Sequence, residues 1–323
     1  MSEADPFLGQ VLQGYQLISL IGQGSVGRVY AAQHTTLKKS LAVKIIRPEL
    51  IQNQRILARF FQESQTVNLI HHENVIEIFD FFYEPENFLV AIFMEHLKGQ
   101  TLSQAIRAGA PFSLPRLGRV AIQLCSALAK THEKGIIHRD LKSDNVFLIT
   151  RAGQQDFVKI LDFGLVRPQT SLYGINTPMG MAIGTPLYMP PEQAVGDPVD
   201  ERSDIYSLGV ILYELSTGSL PFYSTDSREV MKKQILAPPP PPRNKNPLLP
   251  VAIEQIILRC LAKRREERFS SMSALSEALS AHIDLTQAAW PDTATPQSTQ
   301  AVHPNDTITE ESARTNPEST LEE

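Results

Sequence analysis

The chain has 323 residues, 42% hydrophobic and 20% charged, a composition that supports a sizeable folded core and excludes a wholly disordered protein. The formal net charge is -5, but eight acids and one arginine lie between Asp284 and Glu323, so the preceding part is near +2 and carries no electrostatic footprint for nucleic acid. No apolar run approaches the roughly 18–20 residues of a membrane-spanning helix, and the polar start MSEADPFLGQ is unlike a secretory leader.

Residues 1–14 read as an N-terminal leader. From Tyr15 to Ile46 the stretches YQLISLIG, GRVYAAQHT and SLAVKII, rich in apolar and β-branched residues and separated by turn residues, predict antiparallel strands. Over residues 52–71 the period changes, with Ile56, Phe60, Val67 and Ile70 at helical spacing, and VIEIFDFF and NFLVAIFME then return to strand character. Beyond Gly99 the pattern is mostly helical. Leu117, Val120, Leu124 and Leu128 mark one amphipathic helix with Gly135 expected at its C-cap. Asp204–Thr217 is apolar nearly all round, which predicts a buried helix about which others pack. PPPPP at 238–242 reads as a stiff connector between helices, with an exposed polyproline ligand as the alternative. From residue 286 to 323 Thr, Pro, Ser, Asn and Glu dominate, which predicts a disordered acidic tail. Cys125 and Cys260 lie inside apolar segments and read as packed thiols, which fits a reducing cytoplasm.

The chemistry-bearing residues are sparse and oddly placed. IGQGSVGRV carries Gly22, Gly24 and Gly27 in a G-x-G-x-x-G pattern that a dinucleotide-binding turn shares. The dinucleotide version opens a helix and wants an acid about 20 residues on; here strand character continues through Val29 and the residue at 44 is a lysine. A glycine-rich hairpin over a phosphate chain therefore fits better, because a bare backbone can approach the anion with its N–H groups. Lys44 interrupts LAVKII, and an inward ammonium needs a partner; Glu63, on the apolar face of the 52–71 helix, is its natural one. IHRDLKSDNVFL at Ile137–Leu148 holds a lone Asp140, then Lys142, then Asn145, which is neither a carboxylate pair nor a metal cage. LDFGL adds a second lone acid, Asp162, at a strand end. His71, His72 and His132 have no metal-ligand company and read as packing or surface histidines.

Taken in order, GQGSVGRV, AVK, Glu63, HRDLKSDN, DFG, GTPLYMPPEQ, SDIYSLGVILYEL and Arg268 in KRREERF make the chain resemble the bacterial, Hanks-type serine/threonine protein kinases over about residues 15–283. The resemblance implies an α+β, bilobal fold: a small antiparallel β-sheet N-lobe with one key helix (15–97) and a mostly helical C-lobe (98–285). It implies transfer of the ATP γ-phosphoryl group to Ser/Thr hydroxyls of proteins, the chain itself included through self-association, with no nucleic acid and no membrane segment involved. Lys44, held by Glu63, would contact the α and β phosphates; Asn145 and Asp162 would hold Mg²⁺, with Mn²⁺ as the alternative. Asp140 would orient the acceptor hydroxyl and receive its proton, with Lys142 beside the migrating phosphoryl group. Ile21, Gly22, Gln23, Gly24, Ser25, Val26, Gly27 and Arg28 would form the cover over the nucleotide. Val29, Ala42 and Phe147 would sandwich the adenine, Met94 would guard the back of its pocket, and Glu95 and Leu97 would offer it backbone hydrogen bonds. Phe147 is bulkier than the aliphatic residue usual there.

By the same resemblance Glu192 pairs structurally with Arg268, and Pro190 stands where a small residue is usual. Arg59, Arg139 and Arg167 match positions that converge on a phosphate carried between Gly164 and Gly184, with Thr177 the first candidate and Thr170 and Ser171 behind it. Two competing functions share the fold: a pseudokinase, which loss of Lys44, Asp140, Asn145 or Asp162 would favour, and a small-molecule kinase, which generally lacks a segment like GTPLYMPPEQ.

Overall fold

The computed structural model describes residues 5–24, 26–51, 70–161 and 186–284. Its first part is a six-stranded antiparallel sheet of β1 (Val11–Leu12), β2 (Tyr15–Gln23), β3 (Gly27–His34), β4 (Ser40–Ile46), β5 (Ile78–Glu84) and β6 (Leu89–Met94), ordered β1-β2-β3-β4-β6-β5. The β1–β2 turn is the dipeptide Gln13-Gly14, with φ of 48° and 80°, the doubly left-handed pair that a two-residue hairpin requires and that glycine accepts without strain. Strand β1 thus arises within the stretch read as leader. One face of the sheet closes over Leu17, Tyr30, Leu41, Val43, Ile45, Ala91 and Phe93, all nearly inaccessible. After β4 comes a short helix α1 (Pro48–Ile51); the helix expected over 52–71, Glu63 and Arg59 included, lies outside the described residues except for its last two.

The second part is helical, built from α2 (Leu102–Gly109), α3 (Leu114–His132), α4 (Pro191–Val195), α5 (Glu201–Thr217), α6 (Ser227–Leu236), α7 (Val251–Cys260) and α8 (Met272–Ser280). A three-stranded sheet of β7 (Gly99–Thr101), β8 (Val146–Arg151) and β9 (Gln154–Ile160) sits at its start, in the order β7-β8-β9. Thr101 starts α2 with a capping box: its side chain accepts from Gln104 N while the Gln104 side chain accepts from Thr101 N. Leu117, Val120, Leu124 and Leu128 form the buried stripe of α3 that the sequence predicts. The helix ends earlier than expected, however. Glu133 is its C-cap, and Gly135, two residues further on with φ of 71°, reverses the chain so that Ile136 N–H returns to Thr131 O. The physical reason is that the left-handed turn follows the cap instead of forming it.

Helix α5 is the centre of the helical part, with Ile205, Tyr206, Leu208, Val210, Ile211, Leu212 and Tyr213 fully buried, as its unbroken apolar pattern predicts. Asp200 starts it by accepting from Arg202 N, and Gly218 ends it at φ of 74°. A Cβ on Gly209 would lie 2.5 Å from Cys260 Cβ, so only glycine lets α5 and α7 approach this closely. Cys125 and Cys260 are both buried, free thiols, and burial pushes Cys125 up to about 12. The proline run 238–242 links α6 to a 3₁₀ turn at Pro242–Asn244 that precedes α7, the connector role expected of it.

Candidate active site

The glycine-rich hairpin is the β2–β3 connection. Gly24 N–H bonds Gly27 O at 2.9 Å, and Arg47 fastens the same turn by donating its N–H to Val26 O (2.9 Å) and its guanidinium to Gly24 O (3.0 Å). A Cβ on Gly27 would fall 2.1 Å from Ile45 O, so this glycine answers to the neighbouring strand, whereas the space around Gly24 is open to 4 Å. Ser25 lies outside the described residues. Behind the hairpin, Lys44 sits in β4 between Val29 of β3 and Ile92 of β6, and is only 8% exposed. Ala42 is paired with Met94 across β4 and β6, which brings these two adenine-facing candidates together.

The chain leaves β6 through Glu95 and Leu97. Glu95 N–H donates to Glu77 O (3.0 Å), while its carboxylate accepts from Glu77 N–H (2.9 Å) and pairs with Lys159 Nζ at 2.6 Å. Lys159 is buried and stands cross-strand from Phe147, the residue proposed for the floor of the adenine pocket.

The stretch from Ile137 to Asn145 is a loop between α3 and β8, and one acid holds it. Asp204, in the first turn of α5, accepts from the backbone N–H of His138 (2.8 Å) and Arg139 (3.1 Å) and from His132 Nε2 (2.8 Å). Arg139 takes φ of 62°, a left-handed conformation costly for a side-chain-bearing residue, and Asp204 fixes the peptide on its N-terminal side. His138 Nδ1 faces Asp140 N–H at 3.3 Å, so Nε2 carries the ring proton and donates to Leu161 O at 3.1 Å. Leu161 N–H in turn donates to Asn145 O at 2.8 Å, which seats Leu161 against this loop. Asp162 itself, with Arg167, Thr170, Ser171, Thr177 and Thr185, lies outside the described residues.

Within the loop the three expected residues converge. Asn145 Nδ2 donates to Asp140 O at 2.8 Å and approaches Asp140 Oδ2 at 3.3 Å, and Lys142 Nζ lies 3.4 Å from the same Oδ2. Because the amide nitrogen is committed to Asp140, the Asn145 oxygen is the atom left to offer a hard cation. Asp140, Lys142, Asp144, Leu187 and Tyr188 line one cavity beside the loop. The Pro186–Met189 wall of that cavity is anchored from below, by Gln234 Nε2 donating to Leu187 O (2.7 Å) and Ser207 Oγ donating to Tyr188 O (2.9 Å).

Two carboxylates lie close to this wall, Glu192 buried and Glu214 half-buried. Glu192 makes a two-pronged pair with Arg268, both bonds 2.8 Å, and accepts from Ser203 Oγ at 2.6 Å. Burial pushes the Glu192 carboxyl up, but the Arg268 and Ser203 hydrogen bonds outweigh it and hold it below its ordinary range. Glu214 makes no ion pair among the described residues; burial raises its carboxyl although Tyr188 donates to it at 2.6 Å and the Arg107 charge lowers it. The other Tyr188 partner is Ser143 Oγ, at 2.7 Å.

Sequence reasoning singled out Asp140, Lys142 and Asn145 but missed Asp204, His132 as its partner, and Lys159. The visible signal for Asp204 is an acid in the first turn of a helix otherwise apolar all round, where a carboxylate is costly unless the fold needs it. His132 is a packing histidine, as expected, although its packing partner is this acid.

The antiparallel sheet, the helical lobe around α5 and the loop held by Asp204 together define a protein kinase fold. Residues 15–280 match the protein kinase domain family, and the chain belongs to that family. It is 40% identical over 275 residues to serine/threonine-protein kinase Pkn1 of Myxococcus xanthus, covering 85% of this chain and 39% of Pkn1. It is 32% identical to serine/threonine-protein kinase PrkC of Bacillus subtilis, covering 82% of this chain and 40% of that one. The chain therefore spans about two fifths of the length of these relatives. The kinase domain of Mycobacterium tuberculosis PknI superposes with a TM-score of 0.66 over 84% of this chain and 97% of that one, a likeness of fold at 24% identity.

Proposed function

We infer that this chain is an ATP-dependent protein serine/threonine kinase. The observation that supports this most is the convergence of Lys142 and Asn145 on a single Asp140 oxygen, in a loop that Asp204 fixes. Transfer of a γ-phosphoryl group asks for positioning and neutralisation of charge, with little covalent work for the protein. Asp140 orients the acceptor hydroxyl and takes its proton as the new oxygen–phosphorus bond forms, while ADP departs with the electrons of the broken bond. Lys142, 3.4 Å from Asp140, stands in this reading beside the migrating phosphoryl group. Lys44 contacts the α and β phosphates, with Glu63 as its partner. The open space at Gly24 is what a close approach of phosphate needs. Ile21, Gly22, Gln23, Ser25, Val26, Gly27 and Arg28 complete the cover.

The adenine lies between Val29 and Ala42 above and Phe147 below, with Met94 behind. Since the Glu95 N–H is taken by Glu77, Glu95 offers its carbonyl and Leu97 its N–H. Asn145 and Asp162 would hold Mg²⁺, or Mn²⁺ in its place, which would supply neutralisation of the phosphate charge. Protein substrates present Ser or Thr over the cavity walled by Leu187 and Tyr188, and a second copy of the chain is one such substrate. Among the described residues no helix is long and apolar enough to cross a membrane. With both cysteines free and buried, we place the reaction in the cytoplasm. Residues 15–97 serve as N-lobe, 98–285 as C-lobe and 286–323 as tail.

Incubation with γ-labelled MgATP and a generic protein substrate, followed by phosphoamino-acid analysis, tests the proposal. Label on serine or threonine, lost in Asp140→Asn, supports it. Nucleotide binding without transfer would favour a pseudokinase, and label only on small molecules would favour a metabolite kinase.

A further inference from the structure

Residues 5–12 touch both arms of the glycine-rich hairpin. On the β2 side, Gly9 N–H bonds Leu17 O and Leu17 N–H bonds Gln10 O, both 2.9 Å, before Val11 and Leu12 pair with Gln16 and Tyr15. On the β3 side, Asp5 receives the Tyr30 hydroxyl at 3.0 Å from each carboxylate oxygen, and its Oδ2 lies 3.4 Å from Arg28 NH1. Arg28 and Tyr30 are two apart on a strand, so they share one face, and Arg28 follows the sterically obligatory Gly27. The Phe7 ring meets Tyr30 edge-on at 6.1 Å, and Phe7 N–H closes back on Asp5 Oδ1 at 3.0 Å, which sets the carboxylate in place.

Tyr30 is fully buried, so its hydroxyl needs a partner within the fold, and Asp5 supplies it. A polar leader with no role would not carry the acid that satisfies a core tyrosine. The single segment therefore fixes the spacing of two strands whose connecting turn must face the phosphates.

We propose that Asp5 is a positioning residue for the nucleotide: residues 5–12 clasp β2 to β3, and Asp5, through Arg28 and Tyr30, sets the glycine-rich hairpin over the phosphate chain. The lobe then begins at Asp5 and not at Tyr15. This rests on the nucleotide-binding reading of the hairpin.

The test uses the full chain with Asp5→Ala, Asp5→Asn, Tyr30→Phe and the Asp5→Ala/Tyr30→Phe double variant, measuring MgATP affinity by titration, KM and kcat, and thermal stability. Asp5→Ala should lower Tm by about 2–4 °C, from the orphaned phenol. It should weaken MgATP binding and raise the KM for ATP about threefold to tenfold, with kcat within about twofold of wild type. In the double variant Tm should recover, because no hydroxyl is left unpaired, while MgATP affinity stays weak because Arg28 still lacks its carboxylate. Asp5→Asn keeps an acceptor for Tyr30 and removes only the charge, so it should retain Tm and still lose affinity for MgATP about twofold or more. Wild-type affinity for MgATP in Asp5→Ala or Asp5→Asn, or affinity that returns with Tm in the double variant, would overturn the positioning role. A wild-type chain that binds no MgATP would overturn the nucleotide reading itself, and the positioning role with it.

Discussion

Two carboxylate–cation pairs in the helical lobe differ in almost every respect. Arg268 has no exposed side-chain surface, meets both oxygens of Glu192 at 2.8 Å, and spends its other N–H groups on the carbonyls of Ala262, Arg202 and Lys263. Lys142 and Asp140 retain 30% and 19% side-chain exposure and stand 3.4 Å apart on a single oxygen. The first pair is saturated, so nothing can be added to it without breaking it. The second is partly open to solvent beside a cavity, which is what a reacting site needs. Saturation and burial mark structure, and exposure beside a cavity marks chemistry.

The comparison can be broken most severely at the saturated pair. Arg268→Ala leaves the Glu192 carboxylate buried and uncompensated and should cost about 3–5 kcal/mol of stability, seen as a large drop in the denaturant midpoint. Phosphotransfer should fall only in proportion to the folded fraction. Asp140→Asn should do the reverse: turnover falls by at least ~10²-fold while the midpoint stays put. A destabilised Asp140→Asn variant with wild-type turnover would invert the distinction drawn here.

Asp204→Ala should fall between the two. It orphans the His138 and Arg139 N–H groups and releases the left-handed Arg139, so about 1–3 kcal/mol of stability and most of the turnover should be lost together. The smallest effect concerns Glu214, whose carboxyl burial raises. A raised carboxyl contributes stability below its unfolded value, near 4.5, that is lost as pH rises through the folded value. Glu214→Gln removes that loss: stability should match wild type near pH 4 and exceed it at pH 7 by less than about 1 kcal/mol. Glu192 runs the other way, stabilising above 4.5 and losing its effect as pH falls through its depressed value.

Much of this was legible in sequence because the local patterns were consistent. The order of glycine cluster, Lys44, Asp140 and Asn145 fixed the lobes and the loop, and the unbroken apolar run of α5 announced its burial. What stayed hidden depends on partners far apart in the chain. Asp204 holds His138 from 66 residues away, and Asp5 meets Tyr30 across 25, separations that no periodicity encodes. Gly135 misled for a subtler reason, since a glycine beyond a helix reports a left-handed turn without saying whether that turn is the cap. Glu63, Ser25, Asp162 and Thr177 lie outside the described residues.

The two thiols have a practical consequence. Cys125 and Cys260 show 1% and 0% of their surface, and burial pushes both thiols far above the pH of ordinary labelling buffers. Maleimides should therefore ignore the folded native chain. A cysteine introduced at Leu248, which is 88% exposed, or on the rim of the glycine-rich hairpin becomes the sole reactive handle. A fluorophore or spin label placed there would report hairpin movement without first stripping the protein of its own sulfur.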